Sequence, residues 1–189
     1  SRDHALAQTL AGLDRATRLV EQMLRLARLD PLAALPDPTA VDLSQLTRDV
    51  AAGVLDTTKK CAIEVDIPDE MFIIEGVADL LQVALRNLVD NAVRYSPEGS
   101  RITVSLLREH AQPVLSVADN GPGVSATELP RLVERFYRSP EAIAEGSGLG
   151  LTIVHRIAEL HGARLELANR TGGGLEARLC WNSTERSVT

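Results

Sequence analysis

The sequence has 189 residues, of which 44% are hydrophobic and 24% are charged, and this composition excludes disorder over the whole chain because so much apolar surface requires burial. Its 20 basic and 26 acidic residues give a net charge of −6, which argues against a nucleic-acid partner, since that function needs a basic surface. No run reaches the roughly 18 apolar residues of a transmembrane helix.

The chain is predicted to begin with one long helix, from about Asp3 to Leu29. Its apolar side chains recur at alternating spacings of four and three, with one polar member, at Leu6, Leu10, Leu13, Thr17, Val20, Leu24 and Ala27. This pattern is typical of a helix in a bundle. Asp30-Pro31 ends the helix, because a residue before proline disfavours the α conformation. The domains are therefore predicted as a helix over 1–30, a proline-rich linker over 31–40, a second domain over 41–182, and a tail over 183–189.

The second domain alternates helices and strands. Helices are predicted from Asp42 or Ser44 to Thr57, from Val77 to Tyr95, near Glu128–Arg135, and from Leu149 to His161. Strands are predicted at Cys61–Ile67, Phe72–Glu75, Arg101–Glu109, Pro113–Asp119, Arg164–Ala168 and Leu175–Trp181. This order predicts an α/β fold of the two-layer α+β kind, with helices on one face of a mostly antiparallel sheet.

The helix from Val77 to Tyr95 carries polar residues that packing does not require. Its predicted buried face consists of Leu81, Leu85, Leu88 and Ala92. Asn87, Asp90, Asn91 and Arg94 recur at spacings of three and four and share another face. Asn and Asp are weak helix formers, so a merely solvated face more often carries Glu, Lys or Gln. Two amide oxygens one turn apart fit a Mg²⁺ ion with bound phosphates, although a solvent-facing stripe is the alternative.

Two glycine-containing turns also suggest a ligand site. A predicted strand leads Asp119 into Gly121-Pro122-Gly123, where the backbone can approach a ligand and the carboxylate can accept a hydrogen bond from adenine. The alternative is an ordinary Asp-Asn-Gly turn. Residues 146–150, Gly-Ser-Gly-Leu-Gly, open a helix whose free amides and dipole favour an anion. Their spacing is neither that of a dinucleotide fingerprint nor that of a P-loop.

Together, these segments resemble the conserved boxes of sensor histidine kinases. Residues 87–92 resemble the N box, residues 119–123 the G1 box and residues 146–151 the G2 box, while Glu134–Arg138 resembles the F box. The resemblance covers 41–182 as the catalytic and ATP-binding domain, with the GHKL (Bergerat) fold shared with gyrase and Hsp90. It also covers the first helix, as the second arm of the dimerisation and phosphotransfer hairpin.

The resemblance implies roles for the residues of the N and G1 boxes. Asn91 would bind Mg²⁺, and Asn87 would be a second ligand or a phosphate contact with a catalytic role. Arg94 and Tyr95 would face the phosphates and the nucleotide edge, and Asp119 would bind the adenine amine.

The resemblance also implies roles for the turns between and after these boxes. The remaining nucleotide-binding residues would be Gly121, Gly123, Phe136, Gly146, Ser147, Gly148, Leu149 and Gly150. Residues 121–147 would form a lid over ATP, which Phe136 and Tyr137 would dock. Arg135 or Arg138 would contact the γ-phosphate or the phosphotransfer helix.

Position 87 favours phosphoryl transfer over hydrolysis. In the ATP-hydrolysing members of the superfamily, a Glu stands one helical turn before the metal-binding Asn and serves as a base for water. Asn87 cannot accept a proton at neutral pH. We therefore predict an ATP-dependent protein-histidine kinase. A serine kinase of the anti-sigma-factor type and a non-catalytic nucleotide-binding or dimerisation module are the alternatives.

The resemblance implies further partners outside this sequence. They are a cognate response regulator, a second copy in a homodimer of the full-length protein, and a membrane anchor upstream of Ser1 that places this part in the bacterial cytoplasm at the inner membrane. His4 is followed by Ala5 where the family has an acidic residue, so the phosphoacceptor histidine is expected upstream as well. His155 and His161 are predicted to be structural, with His161 near a helix end and its dipole.

Overall fold

The computed structural model describes residues 35, 37–55, 61–139 and 147–181. These residues belong to the second of two units into which the chain divides, Ala34–Thr189. The predicted first helix, Gly146 and the tail over 183–189 lie outside the described residues, as does half of the predicted linker.

The described residues form three α-helices, one short 3-10 helix and seven strands. The helices are α1 (Leu43–Leu55), α2 (Ala78–Tyr95) and α3 (Gly150–Leu160), and the 3-10 helix is Leu129–Val133. The strands are β1 (Thr39–Asp42), β2 (Ala62–Asp66), β3 (Ile73–Gly76), β4 (Arg101–Glu109), β5 (Gln112–Ala118), β6 (Ala163–Asn169) and β7 (Leu175–Trp181).

Five strands form the main sheet, in the order β2-β4-β5-β7-β6. Strands β2 and β4 are parallel, and the other neighbouring pairs are antiparallel. The register pairs Val104 with Val117 and Leu115 with Leu179, and because side chains alternate along a strand, these buried residues share one face. All three helices contact this sheet. The predicted two-layer α+β fold is therefore confirmed.

Helix α2 lies in the helical layer between α1 and α3 and contacts both. Its predicted apolar face is confirmed, because Leu81, Leu85, Leu88 and Ala92 are all buried. The helix ends at Tyr95, and the amide of Ser96 still donates to the carbonyl of Ala92. Pro97 follows, and proline cannot continue a helix. The polar residues of α2 are thereby held on a rigid element packed on two sides.

Strand β1 begins in the last two residues of the predicted linker and ends in the first two of the predicted second domain. Thr39 pairs with Gly76 and Asp42 with Ile73, in a separate two-stranded antiparallel sheet with β3. Only Val41 is buried among its four residues, so the strand has too little hydrophobic patterning to be detected locally.

Of the helices in the described part of the chain, none has both the length and the hydropathy to cross a membrane.

Candidate nucleotide-binding site

Folding brings the predicted N, G1 and G2 boxes together. A Cβ atom at Gly150, in the first turn of α3, would lie 3.3 Å from Oδ1 of Asn87 in α2. A Cβ at Gly121 would lie 2.9 Å from the carbonyl oxygen of Tyr95, the last residue of α2. Helix α2 thus approaches the start of α3 at Asn87 and the G1 turn at Tyr95. At Gly121 the approach to the backbone is so close that glycine is the residue that fits.

Asp119 follows β5 and is 6% exposed. Its Oδ1 atom accepts hydrogen bonds from the amides of Gly121, at 2.7 Å, and Leu175, at 3.2 Å. Its own amide donates to the carbonyl of Leu175, which extends the pairing of β5 with β7. Within the described residues, Oδ2 accepts no hydrogen bond. The two amides therefore fix the carboxylate and leave one oxygen for a ligand.

The two asparagines of α2 lie one helical turn apart, and the structure locates the amide oxygen of Asn87. Nδ2 of Asn87 donates to the carbonyl of Val83 at 2.8 Å, and this bond directs Oδ1 towards Gly150. Asn91, one turn later, is half-buried, and its side chain makes no hydrogen bond to any other described residue. Both oxygens are hard ligands of the kind that Mg²⁺ prefers.

The described residues include no cluster of three His, Cys, Asp or Glu side chains that would hold a metal by themselves. A cation at Asn87 and Asn91 would therefore need further oxygen ligands, such as those of a nucleotide. This donor set fits a Mg²⁺ ion that arrives with phosphates, because Mg²⁺ is commonly bound by one or two protein oxygens together with substrate phosphates and water.

The predicted polar face of α2 divides into two parts. Asn87 and Asn91 are half-buried, and so is Tyr95 at the end of the helix, whereas Asp90 and Arg94 are exposed. The amide pair therefore differs from a solvated stripe, while the two charged residues lie at the outer edge of the region.

The G2 loop is shaped by Gly148, whose φ of +69° favours glycine. A Cβ there would lie 2.8 Å from the carbonyl carbon of Phe136, and the carbonyl of Gly148 accepts the amide of Phe136 at 3.1 Å. Leu149 is fully buried, and its amide donates to Oγ of Ser147 at 3.3 Å. Leu149 thus anchors the loop in the core.

Helix α3 begins next to this loop without a side-chain cap. The amides of a first helical turn have no partner inside the helix, and the helix dipole adds a partial positive charge. The start of α3 therefore has the properties of a phosphate site, and Oδ1 of Asn87 faces it.

The segment between the two glycine turns contains the predicted F box. The hydroxyl of Tyr137 donates to Glu128 at 3.2 Å, and the guanidinium of Arg131 stacks 4.1 Å from the centre of its ring. Phe136 is 56% exposed and has a φ of +62°. Of the two aromatic residues expected to dock a lid, Tyr137 is tied within the segment and Phe136 faces outwards.

The arginines of this segment, Arg135 and Arg138, are both exposed.

Sequence reasoning missed two residues at the turn between β6 and β7. Nη1 of Arg170 donates to the carbonyl of Asp119 at 2.9 Å and to Oδ1 of Asn120 at 2.6 Å. Asn169 bonds both backbone groups of Val124. The glycines that follow predict a turn, but no local pattern indicates that the preceding side chains reach residues 45 to 51 positions away.

His161 joins the two site-bearing helices at their far ends. It is buried, its Nε2 accepts the amide of Val77 at 3.0 Å, and its Nδ1 donates to the carbonyl of Ile157 at 2.7 Å. Burial lowers the pKa of His161 below its usual 6.5. The structure thus supports the predicted structural role, but with a neutral ring instead of a cation at the helix end.

The chain is similar to known proteins over almost its whole length. Residues 76–185 match the family described as histidine kinase-, DNA gyrase B-, and HSP90-like ATPase. The sensor protein QseC of Escherichia coli K12 is 45% identical over 183 residues, which are 96% of this chain and 40% of that protein. The sensor protein kinase PmrB of Pseudomonas aeruginosa is 38% identical over 186 residues, which are 97% of this chain and 39% of that protein. The chain thus spans about two fifths of these relatives.

Solved structures show the same fold. The cytoplasmic segment of histidine kinase QseC aligns with a TM-score of 0.63 and 36% identity, over 89% of this chain and 93% of that one. Full-length ShkA in complex with AMPPNP aligns with a TM-score of 0.80 and 27% identity, over 95% of this chain and 38% of that one. The resemblance predicted from the boxes is confirmed. The chain belongs to the histidine kinase-, DNA gyrase B- and HSP90-like ATPase family, in which it matches the ATP-binding catalytic domain of sensor histidine kinases.

Proposed function

We propose that this chain binds ATP with Mg²⁺ and transfers the γ-phosphoryl group to a histidine, as the catalytic core of a sensor kinase in a two-component phosphorelay. The observation that carries this proposal is the pair Asn87 and Asn91, with Oδ1 of Asn87 against the start of α3. A neutral amide cannot take a proton from water, so the site lacks a hydrolytic base at this position. ATP held there would await a protein nucleophile.

Asp119 and its surroundings would bind the base of ATP. The 6-amino group of adenine would donate to Oδ2, because Oδ1 is occupied by the amides of Gly121 and Leu175. Gly121 and Gly123 would form the pocket floor, and Tyr95 would contact the nucleotide edge. This arrangement favours adenine over guanine, because guanine presents a carbonyl oxygen where adenine has its amine.

The phosphates would lie at the start of α3. The amides of Gly146, Gly148 and Gly150 would donate to phosphate oxygens, with Ser147 and Leu149 shaping the loop. Arg94, and Arg138 with a catalytic role, would supply positive charge, and residues 121–147 would close over the nucleotide. A phosphoryl transfer needs mainly positioning and charge neutralisation, which these groups provide.

Asn91 and Asn87 would hold Mg²⁺ together with the phosphates. When bound, the ion would neutralise charge on the phosphates and orient the γ-phosphoryl group. The spacing of one helical turn between the two asparagines, with Oδ1 of Asn87 facing the start of α3, supports this assignment.

We further propose that residues 1–30 are the second helix of a dimerisation and phosphotransfer hairpin, that 31–40 link it to the catalytic domain over 41–182, and that 183–189 form a tail. His161 is buried and bonded through both ring nitrogens, so it cannot act as the acceptor. His4 is followed by Ala5 where the family has an acidic residue, so the acceptor would lie on the first arm of the hairpin, outside this sequence.

The partners follow from the relatives. A response regulator would receive the phosphoryl group, and the full-length protein would form a homodimer anchored in the inner membrane. The QseC structure is described as a cytoplasmic segment, which supports a cytoplasmic position for this domain.

Incubation with radiolabelled ATP tests the kinase proposal. The chain would be incubated alone and with a separately produced hairpin that contains the first helix and its histidine. We expect acid-labile label on the added hairpin and little label on the chain itself. With Asn91→Ala, neither protein should be labelled. Acid-stable label on serine would favour the anti-sigma-factor type, and nucleotide binding without any transfer would favour a non-catalytic module.

A further inference from the structure

One side chain outside the predicted boxes holds the start of the segment that follows Gly121-Pro122-Gly123. Oδ1 of Asn169 accepts the amide of Val124 at 3.0 Å, and Nδ2 of Asn169 donates to the carbonyl of Val124 at 2.6 Å. Asn169 is the last residue of β6, so it projects from the main sheet. Both backbone groups of a single residue are thus bonded to a rigid element.

Beyond Val124, the next hydrogen bond to the body of the domain comes nine residues later, where Oγ1 of Thr152 in α3 donates to the carbonyl of Val133 at 3.0 Å. Between these points, every hydrogen bond seen in the described residues stays within the segment itself, as in the amide of Leu129 donating to the carbonyl of Ser125. The segment is therefore pinned to β6 at its start and to α3 at its end.

The turn before Val124 is fitted to Asn169. Gly123 has a φ of +73°, and a Cβ there would lie 2.7 Å from Oδ1 of Asn169. The neighbouring Arg170 bonds the carbonyl of Asp119 on the other side of the same turn. Two adjacent residues at the end of β6 therefore hold the G1 turn from both sides, one at Asp119 and one at Val124.

We propose that Asn169 is a positioning residue for the nucleotide. By holding Val124, it fixes where residues 124–139 leave the sheet, so that less of the chain has to be ordered when the segment closes over ATP. This inference rests on the proposed ATP site beside Asp119. Because the hydrogen bonds of its side chain go to the backbone of Val124, Asn169 would act on nucleotide affinity and leave the transfer step unchanged.

Asn169→Ala and Asn169→Asp test the inference in the full chain, with Thr171→Ala as the matched control. Thr171 is exposed in the same turn, and it makes no hydrogen bond to any described residue. Asn169→Asp keeps the size of the side chain and the acceptor for the amide of Val124, but it faces the carbonyl of Val124 with a second acceptor. It therefore separates the loss of the bond from the loss of volume.

We expect both Asn169 variants to raise the Kd and KM for ATP about three- to tenfold, as expected for the loss of an exposed hydrogen bond. The kcat for phosphorylation of an added hairpin should stay at the value of the unmodified chain, because Asn169 acts only through the position of Val124. The Tm should change little, because both bonds are exposed. Hydrogen exchange of the Val124 amide, without nucleotide, should be faster in Asn169→Ala, and Thr171→Ala should change none of these quantities.

The outcomes separate the two proposals. If the unmodified chain binds ATP and both Asn169 variants bind it equally well, the positioning role is wrong and the proposed function stands. A lower kcat at unchanged KM would also overturn it. If the unmodified chain binds no ATP, the proposed function fails, while exchange at Val124 still reports whether Asn169 holds the segment. If Asn169→Ala unfolds, Asn169→Asp with a normal Tm and normal affinity overturns the inference.

Discussion

The substitution Asp119→Asn tests the role of Asp119 in nucleotide binding with less effect on folding than Asp119→Ala, which removes the whole carboxylate. The amide is nearly isosteric with the carboxylate, and its oxygen can still accept the amides of Gly121 and Leu175 in place of Oδ1. The Nδ2 group then takes the place of Oδ2, the atom that we assign to adenine. The substitution thus replaces an acceptor with a donor at one point and preserves the other contacts.

The orientation of the new amide is fixed by the structure. If it were rotated by 180°, its NH₂ group would face the two backbone N–H donors, and each unmet buried donor costs about 1–3 kcal/mol. With NH₂ at the place of Oδ2, the adenine amine meets another donor. Loss of that hydrogen bond, again about 1–3 kcal/mol, corresponds to roughly a ten- to hundredfold weaker affinity for ATP. Guanine has a carbonyl oxygen there, so the preference for ATP over GTP should shrink or reverse.

Calorimetric titration of ATP and GTP into both proteins measures this effect, with thermal unfolding as a check on the fold. The unmodified chain should prefer ATP, and Asp119→Asn should keep its Tm. Asp119→Ala serves as the comparison, because it removes the acceptor for both amides and should lower stability as well as binding. Unchanged ATP affinity in a folded Asp119→Asn protein, or an unchanged ratio of ATP to GTP affinity, would refute the assignment of Oδ2 to adenine.

Three further predictions concern the metal, the buried histidine and the G2 loop. Asn91→Ala should abolish the strengthening of ATP binding by Mg²⁺, measured by titration with and without chelator, while the fold persists; unfolding of this variant would indicate a structural role instead. The free energy of unfolding should decrease as the pH falls below about 6.5, because the unfolded chain takes up the proton that the neutral, buried His161 resists. Denaturant titrations across this range should show a weaker pH dependence for His161→Gln than for the unmodified chain, and equal slopes in the two proteins would contradict this role of His161. Gly148→Ala should weaken ATP binding about tenfold or more, because its φ of +69° and its 2.8 Å approach to Phe136 leave no strain-free place for a methyl group; normal affinity in that variant would show that the loop adapts.

The sequence by itself determined the parts of this protein that depend on local preference. The buried face of α2 follows from apolar residues at helical spacing, and β4 and β7 have the bounds that their patterning predicts. The glycine turns near Gly121 and Gly148 follow from residue type. The order of these motifs along the chain was enough to predict the family and the two-layer fold.

Only the tertiary structure decided which side chains meet across elements. Three contacts join residues far apart in the sequence: the pairing of β1 with β3, the hydrogen bonds of Asn169 to Val124, and the hydrogen bond from Val77 to His161. Val77 and His161 are 84 positions apart. Likewise, half-burial distinguishes Asn87 and Asn91 from their exposed neighbours on the same helix. Hydrophobic periodicity and turn chemistry act over a few residues, whereas these contacts depend on the packing of whole helices and strands, which no short stretch of sequence encodes.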